Sequence, residues 1–115
     1  MAPDDWIEHR RGDRERLGWI RPADRDLWIA VDLLGRALTP PVDWLAAEEA
    51  LEAAGIGYLA EIYVLADPDG LERRVRIAEV SERRILVKDD DFGAVGIPQV
   101  YTELPFPAPP SLRPA

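Results

Sequence analysis

Apolar positions along this chain recur with two different periods. Leu17 to Arg21 reads as a short strand closed by Pro22, and Leu27 to Leu34 as a longer strand ended by Gly35. In the longer one, Leu27, Ile29, Val31 and Leu33 fall on one face at period two, and Trp28, Ala30, Asp32 and Leu34 on the other. The first set is expected to face the core. Between the strands, Pro22-Ala23-Asp24-Arg25-Asp26 is a polar loop of hairpin length. Thr39-Pro40-Pro41 excludes a central strand, because proline donates nothing to a ladder, and reads as a helix lead-in. From Trp44 to Ala54 the period changes. Trp44, Ala47, Leu51 and Ala54 share one helical stripe, with Glu48, Glu49 and Glu52 mainly off it. Asp43 is placed to cap the orphan amides of that helix, and Gly55 to stop it.

Tyr58 to Leu65 returns to period two with both faces mostly apolar, the pattern of a central strand. Its Ile62 and Val64 are assigned inward. Asp67-Pro68-Asp69-Gly70 is a turn with a mechanism, since proline presets φ and glycine accepts a positive φ. Leu71 to Val80 and Arg84 to Asp89 then form a hairpin around Ser81-Glu82-Arg83, with Ile77 opposite Val87. Residues 89–98 read as a loop and Gln99 to Leu104 as a last strand. The order β-β-α-β-β-β is that of an α+β fold: a mostly antiparallel sheet of about five strands covered by one helix. The expected core is Leu17, Trp19, Leu27, Ile29, Val31, Trp44, Leu51, Ile62, Val64, Val75, Ile77, Ile85 and Val87. This single α+β domain spans residues 17–104. Residues 1–16 read as a charged N-terminal arm tacked down by Trp6 and Ile7. Residues 105–115, with five prolines, read as an extended tail of polyproline II character. Such a tail can strap across its own domain, a partner or a second copy.

Composition narrows the chemistry. The 115 residues include no cysteine, which excludes a disulfide framework, a thiolate metal site and a cysteine nucleophile. His9 is the one imidazole and lies in the charged arm, where a solvent-exposed position is expected. Every apolar run is far shorter than the ~20 residues that span a bilayer. Met1 to Arg16 has no apolar leader segment, so the expected location is the cytoplasm. The net charge of −8 argues against non-specific nucleic-acid binding, whose affinity comes from neutralising phosphates. That charge is concentrated: residues 27–70 hold eight acidic groups and only Arg36.

Two familiar triplets carry no function here. Asp91-Phe92-Gly93 spells the magnesium-binding triplet of protein kinases, without the glycine-rich loop, strand lysine or catalytic-loop aspartate a kinase needs. Arg11-Gly12-Asp13 is a coincidence of composition. Asp89-Asp90-Asp91 is the most acidic run, but adjacent residues on an extended chain point alternately, and no EF-hand spacing surrounds it. The expectation is therefore no metal, no cofactor and no catalytic set. Glu61, Glu79 and Glu103, with the Asp89 to Asp91 loop, remain candidates for a ligand-binding or acid–base role.

The most informative constellation is basic. If Val75, Ile77, Ile85 and Val87 face the core, period two sends Arg74, Arg76, Arg84 and Lys88 to the opposite face. Arginine forks suit carboxylate and phosphate partners. Trp28 also points away from its assigned core face, and tryptophan beside arginine is a common mixture at protein interfaces. The alternative for the four cations is a solvated sheet face, and for Trp28 a second small core.

Four stretches together carry a resemblance: Gly18-Trp19-Ile20-Arg21-Pro22, Val31-Asp32-Leu33-Leu34-Gly35-Arg36, Val42-Asp43-Trp44-Leu45 and Gln99 to Pro107. They resemble a family of small uncharacterised proteins of high-GC Gram-positive, actinobacterial-type bacteria. The resemblance implies a bacterial, cytoplasmic protein and transfers no functional residue. The expected function is a non-enzymatic protein-interaction or accessory domain acting through the basic strand face. The alternative is a small ligand-binding domain or enzyme using clustered carboxylates. The expected partner is another protein or a second copy of the chain, with no membrane.

Overall fold

Among the described residues, one helix and two antiparallel sheets realise the α+β class that the periodicity predicts. The computed structural model describes residues 2–12, 15–55, 61–90 and 100–115. The chain divides into two compact units, residues 1–56 and 57–115. Among the described residues no helix is long and apolar enough to cross a membrane.

The N-terminal unit contains β1 (Ile7–Arg10), β2 (Arg16–Pro22) and β3 (Trp28–Val31) in the order β1-β2-β3, and the helix α1 (Trp44–Ala54). The segment expected as an arm is thus partly a strand, paired antiparallel to β2 with Ile7 opposite Ile20. Asp43 caps α1 as its sequence position predicts, accepting the Ala46 amide at 2.8 Å. Gly55 ends the helix at φ 54°, its N–H reaching the Leu51 carbonyl at 3.0 Å.

Small residues let α1 lie close to the sheet. Ala30 and Ala47 are fully buried, and a Cβ built on Gly18 would stand 2.1 Å from the Val31 carbonyl oxygen and 2.9 Å from Leu51 Cδ2. Leu17, Ile20, Ala30, Ala47 and Leu51 form the core under the helix, with Trp28, Val42, Trp44 and Ala50 packed against it. Trp28 meets Trp44 edge-on at 5.0 Å. This corrects the predicted facing of β3. Trp28 and Ala30 pack towards α1, whereas Ile29 and Val31 share the other face with Trp19 and Arg21, their partners across β2; Trp19 and Val31 are buried there, as expected of them, and Ile29 is half-buried. Both faces of that strand are apolar, so period two alone had no direction. The helix settles on the side where glycine and alanine allow close approach. The far edge of β3 is covered by residues 37–42, through paired bonds between Trp28 and Val42 and a bond from the Ala30 amide to Thr39 Oγ.

The C-terminal unit is a five-stranded sheet of β4 (Tyr63–Ala66), β5 (Glu72–Val80), β6 (Arg84–Asp89), β7 (Tyr101–Pro105) and β8 (Leu112–Pro114), in the order β7-β6-β5-β4-β8. The predicted turn is present, closed by Gly70 N–H to the Asp67 carbonyl at 2.9 Å with Gly70 at φ 89°. Ile77 stands opposite Val87, the expected register. A bulge between Ile77 and Glu79 adds one residue, so Val80 again aligns with Ile85.

Val75, Ile77, Ile85, Val87, Leu104 and Leu112 are buried, and so are Tyr63 and Leu65. The assignment of Ile62 and Val64 to the core is therefore inverted. Val64 lies between Arg74 and Arg113 in the register, on the polar face, and the charges of its neighbours choose its side. The Pro-rich tail straps its own unit. Phe106 and Leu112 are buried, and β8 pairs antiparallel with β4. Residues 58–60 of the predicted strand, and 91–99 with Asp91-Phe92-Gly93, lie outside the described residues.

Candidate functional site

The burial of Val75, Ile77, Ile85 and Val87 leaves the other face of the C-terminal sheet to the residues between them. Arg74 and Arg76 on β5 and Arg84 and Lys88 on β6 occupy that outward face, as the alternation predicts. The register then orders them. Arg76 stands directly opposite Lys88, and Lys88 opposite Tyr101 of β7. One row over, Arg74 stands opposite Val64, which pairs with Arg113 of β8. Arg74, Arg76 and Lys88 therefore line the neighbouring strands β5 and β6, and Arg113 on β8 is separated from them by Val64 of β4. Arg84 is four residues from Lys88 along β6, about 14 Å at strand rise.

Ion pairs sort these cations further. Arg84 lies between Glu103, at 3.4 Å, and Glu79, at 3.8 Å, and Arg113 bonds Glu72 at 2.7 Å. Arg76 Nε approaches Asp90 Oδ1 at 3.2 Å; the Asp90 side chain is only 6% exposed and its Oδ2 has no partner. Lys88 has no carboxylate within 4.0 Å among the described residues. Beside it, Tyr101 and Val100 are each about half exposed. The patch thus gathers Arg74, Arg76 and Lys88 next to an exposed aromatic ring at one end, with Arg84 between two glutamates at the other.

Two members of this face escaped the sequence reading. Arg113 was hidden in the tail, whose prolines masked a three-residue strand with Leu112 inward and Arg113 outward. Tyr101 needed the β6–β7 register before its position beside Lys88 was visible. Trp28, in contrast, belongs to the N-terminal unit, half-buried against Trp44 in the packing role that was its alternative.

The carboxylates that a ligand or acid–base site would draw on are largely committed to arginines. Arg73 is the centre of this pairing. It holds Asp67 through two bonds of 2.9 and 3.1 Å, Asp89 at 2.7 Å and Thr102 Oγ at 3.3 Å. Its guanidinium sits between two acidic groups that a metal reading would have brought together. The hydrogen bonds to Asp67, with the charge of Asp89, raise the Arg73 pKa further above its ordinary value against the opposing effect of desolvation. Glu79 and Glu103 flank Arg84, and Glu8 pairs with Arg10 and Arg16. Glu61 is exposed, and Asp91 lies outside the described residues. Hydroxyls serve the backbone in the same way: Ser81 Oγ accepts the Arg83 and Arg84 amides in the hairpin turn.

His9 departs from the exposed position expected for it. Because β1 pairs with β2, His9 stands opposite Gly18 on the side of α1, and its side chain is only 14% exposed. Nδ1 lies 3.7 Å from Glu48 and Nε2 3.8 Å from Glu52, and Nε2 is buried without a hydrogen-bond partner. Both separations exceed hydrogen-bond length. Among the described residues no group of three His, Cys, Asp or Glu side chains is arranged to hold a metal ion.

The chain matches no protein-family model, no curated protein and no solved structure.

Proposed function

We propose that this chain is a non-enzymatic protein-interaction domain that docks an acidic partner protein on the outward face of its C-terminal sheet. The supporting observation is the direct opposition of Arg76 and Lys88, continued by Arg74 and by the exposed Tyr101. Like charges placed opposite each other on paired strands cost roughly 0.2–1 kcal/mol. Asp90 offsets that cost at Arg76, whereas Lys88 has no carboxylate within 4.0 Å among the described residues and is open to an incoming one. Arginine and tyrosine are also the residues enriched where protein interfaces concentrate their binding energy. The proposed contacts are Arg74 and Lys88 as charge donors and Tyr101 as the apolar anchor. Arg84, flanked by two glutamates, lies at the edge of the contact.

The test leaves Arg76 in place, because removing it would strand the buried Asp90. The tagged full-length chain is used to capture partners from its host, alongside Arg74→Glu/Lys88→Glu and Arg84→Ser. A partner retained by the parent and by Arg84→Ser, but lost by the double variant, is the expected result. Retention of every partner by a double variant with unchanged melting removes the proposal. Sedimentation equilibrium distinguishes the other candidate partner, a second copy presenting the Glu48, Glu49 and Glu52 face of α1.

A further inference from the structure

A concavity lies within the N-terminal unit, beside the turn between β2 and β3. It is an open depression of about 460 Å³, lined by the exposed Pro22, Asp24, Arg25 and Pro41 and the half-buried Arg21, Ala23, Leu27 and Ile29. We propose that it is a binding site for a small monocarboxylate with an apolar body. This inference does not depend on the docking face of the C-terminal unit.

Three observations converge on it. The first is size and lining. Small-molecule sites enclose roughly 300–1,000 Å³ and combine apolar walls with a few placed polar groups. Here Leu27, Ile29 and the prolines are the apolar residues of the lining, and Arg21, Arg25 and Asp24 are its charged ones.

The second is unpaired charge. Residues 1–56 carry seven arginines against twelve carboxylates. In such a unit an arginine should find a partner, as Arg10 and Arg16 do with Glu8. Among the described residues neither Arg21 nor Arg25 makes an ion pair, although Asp24 lines the same concavity. Two guanidinium forks without carboxylates are matched donors for an incoming carboxylate. The Asp24 carboxylate leaves one net positive charge in the lining, which suits a monoanion better than a phosphate.

The third is strain. Arg25 and Asp26 both have φ of 61°, at the centre of a turn closed by Leu27 N–H to the Asp24 carbonyl at 3.2 Å. This geometry favours Asn-Gly, because residues with a Cβ carry a cost in the left-handed region. Arg25 is the strained residue that lines the concavity. Its side chain offers the ligand something that the easier glycine would not.

The experiment follows backbone amide shifts of the full chain during titration with 3-phenylpropionate. Saturable shifts confined to Arg21, Ala23, Arg25, Leu27, Ile29 and their neighbours are expected, with a dissociation constant of about 1 mM or below. Arg21→Ala should weaken binding at least about fivefold, the loss of one charge-assisted bond. Asp24→Asn should tighten it about threefold by removing a like charge. Arg25→Gly separates ligand binding from turn structure. It relieves the strained position and should raise the melting temperature of the unit by a few degrees, while binding weakens at least about fivefold. Equal affinity for the neutral 3-phenylpropionamide, tighter binding of inorganic phosphate, or unchanged affinity in Arg25→Gly would each overturn the proposal.

Discussion

Gly18→Ala is the substitution to which the N-terminal unit should be most sensitive. The added Cβ would meet the Val31 carbonyl oxygen at 2.1 Å and Leu51 Cδ2 at 2.9 Å, at a φ of 150° that residues with side chains rarely adopt. Leucine can swing aside, but the carbonyl belongs to β3 and cannot move by an ångström without disturbing its pairing with β2. Overpacking costs about 1–3 kcal/mol, and a strained backbone position about 1–3 kcal/mol more. A central expectation is a loss of about 4 kcal/mol, a large part of the ~5–15 kcal/mol that holds a typical domain folded. With a urea slope of about 2 kcal/mol/M, the midpoint should fall by about 2 M. All four tryptophans, Trp6, Trp19, Trp28 and Trp44, lie in residues 1–56, so tryptophan emission reads this unit alone. Trp28 and Trp44 lie at the interface between sheet and helix, and Trp6 packs against Trp19 in a tilted arrangement with ring centroids 5.9 Å apart. Gly12→Ala is the matched control, since nothing stands within 4 Å of the position its new methyl group would take. A Gly18→Ala midpoint within about 0.3 M of the parent, at the same slope, would refute the close approach of β2, β3 and α1.

Two further substitutions probe the polar framework. Asp32 accepts the Leu34 and Arg36 amides at 2.9 and 3.0 Å, but desolvation dominates and raises its pKa above 3.8. The folded state therefore binds this proton more tightly than the unfolded state does. The resulting penalty is present in full above the raised value and fades as the pH falls towards 3.8. Asp32→Asn keeps an acceptor for the turn, so the variant should be the more stable one at neutral pH. Its advantage over the parent should shrink in acid, measured by urea midpoints across that range; an advantage that grows in acid would reverse the sign. In the C-terminal unit, Arg73→Ala leaves Asp67 and Asp89 without their shared cation and should cost about 2 kcal/mol. Arg73→Lys should recover no more than half of that, because an ammonium lacks the fork that holds Asp67; thermal melts by circular dichroism, with full recovery by lysine as the contrary result, decide it.

Local rules decided the parts of this protein in which one residue type has one job. Asp43 and Gly55 bound the helix because a carboxylate satisfies orphan amides and glycine accepts positive φ. Asp67 to Gly70 turn because of the same glycine freedom, and the alternation of β5 up to its bulge and of β6 separates Val75, Ile77, Ile85 and Val87 from Arg74, Arg76, Arg84 and Lys88. Tertiary structure decided what apolar alternation leaves undirected. β3 and β4 are apolar on both faces, so their orientation follows from neighbours: the gap at Gly18 and Ala30 that admits α1, and the flanking Arg74 and Arg113 that turn Val64 outward. Pairing across large sequence separation made strands of β1 and β8, where charge and proline suggested arms, and moved His9 from solvent to the helix. The candidate face divides along the same line. Its four cations follow from period two, a property of the chain itself. Which of them are compensated, and which aromatic stands beside them, depends on the partners that Asp90, Glu103 and Tyr101 find only across the folded sheet.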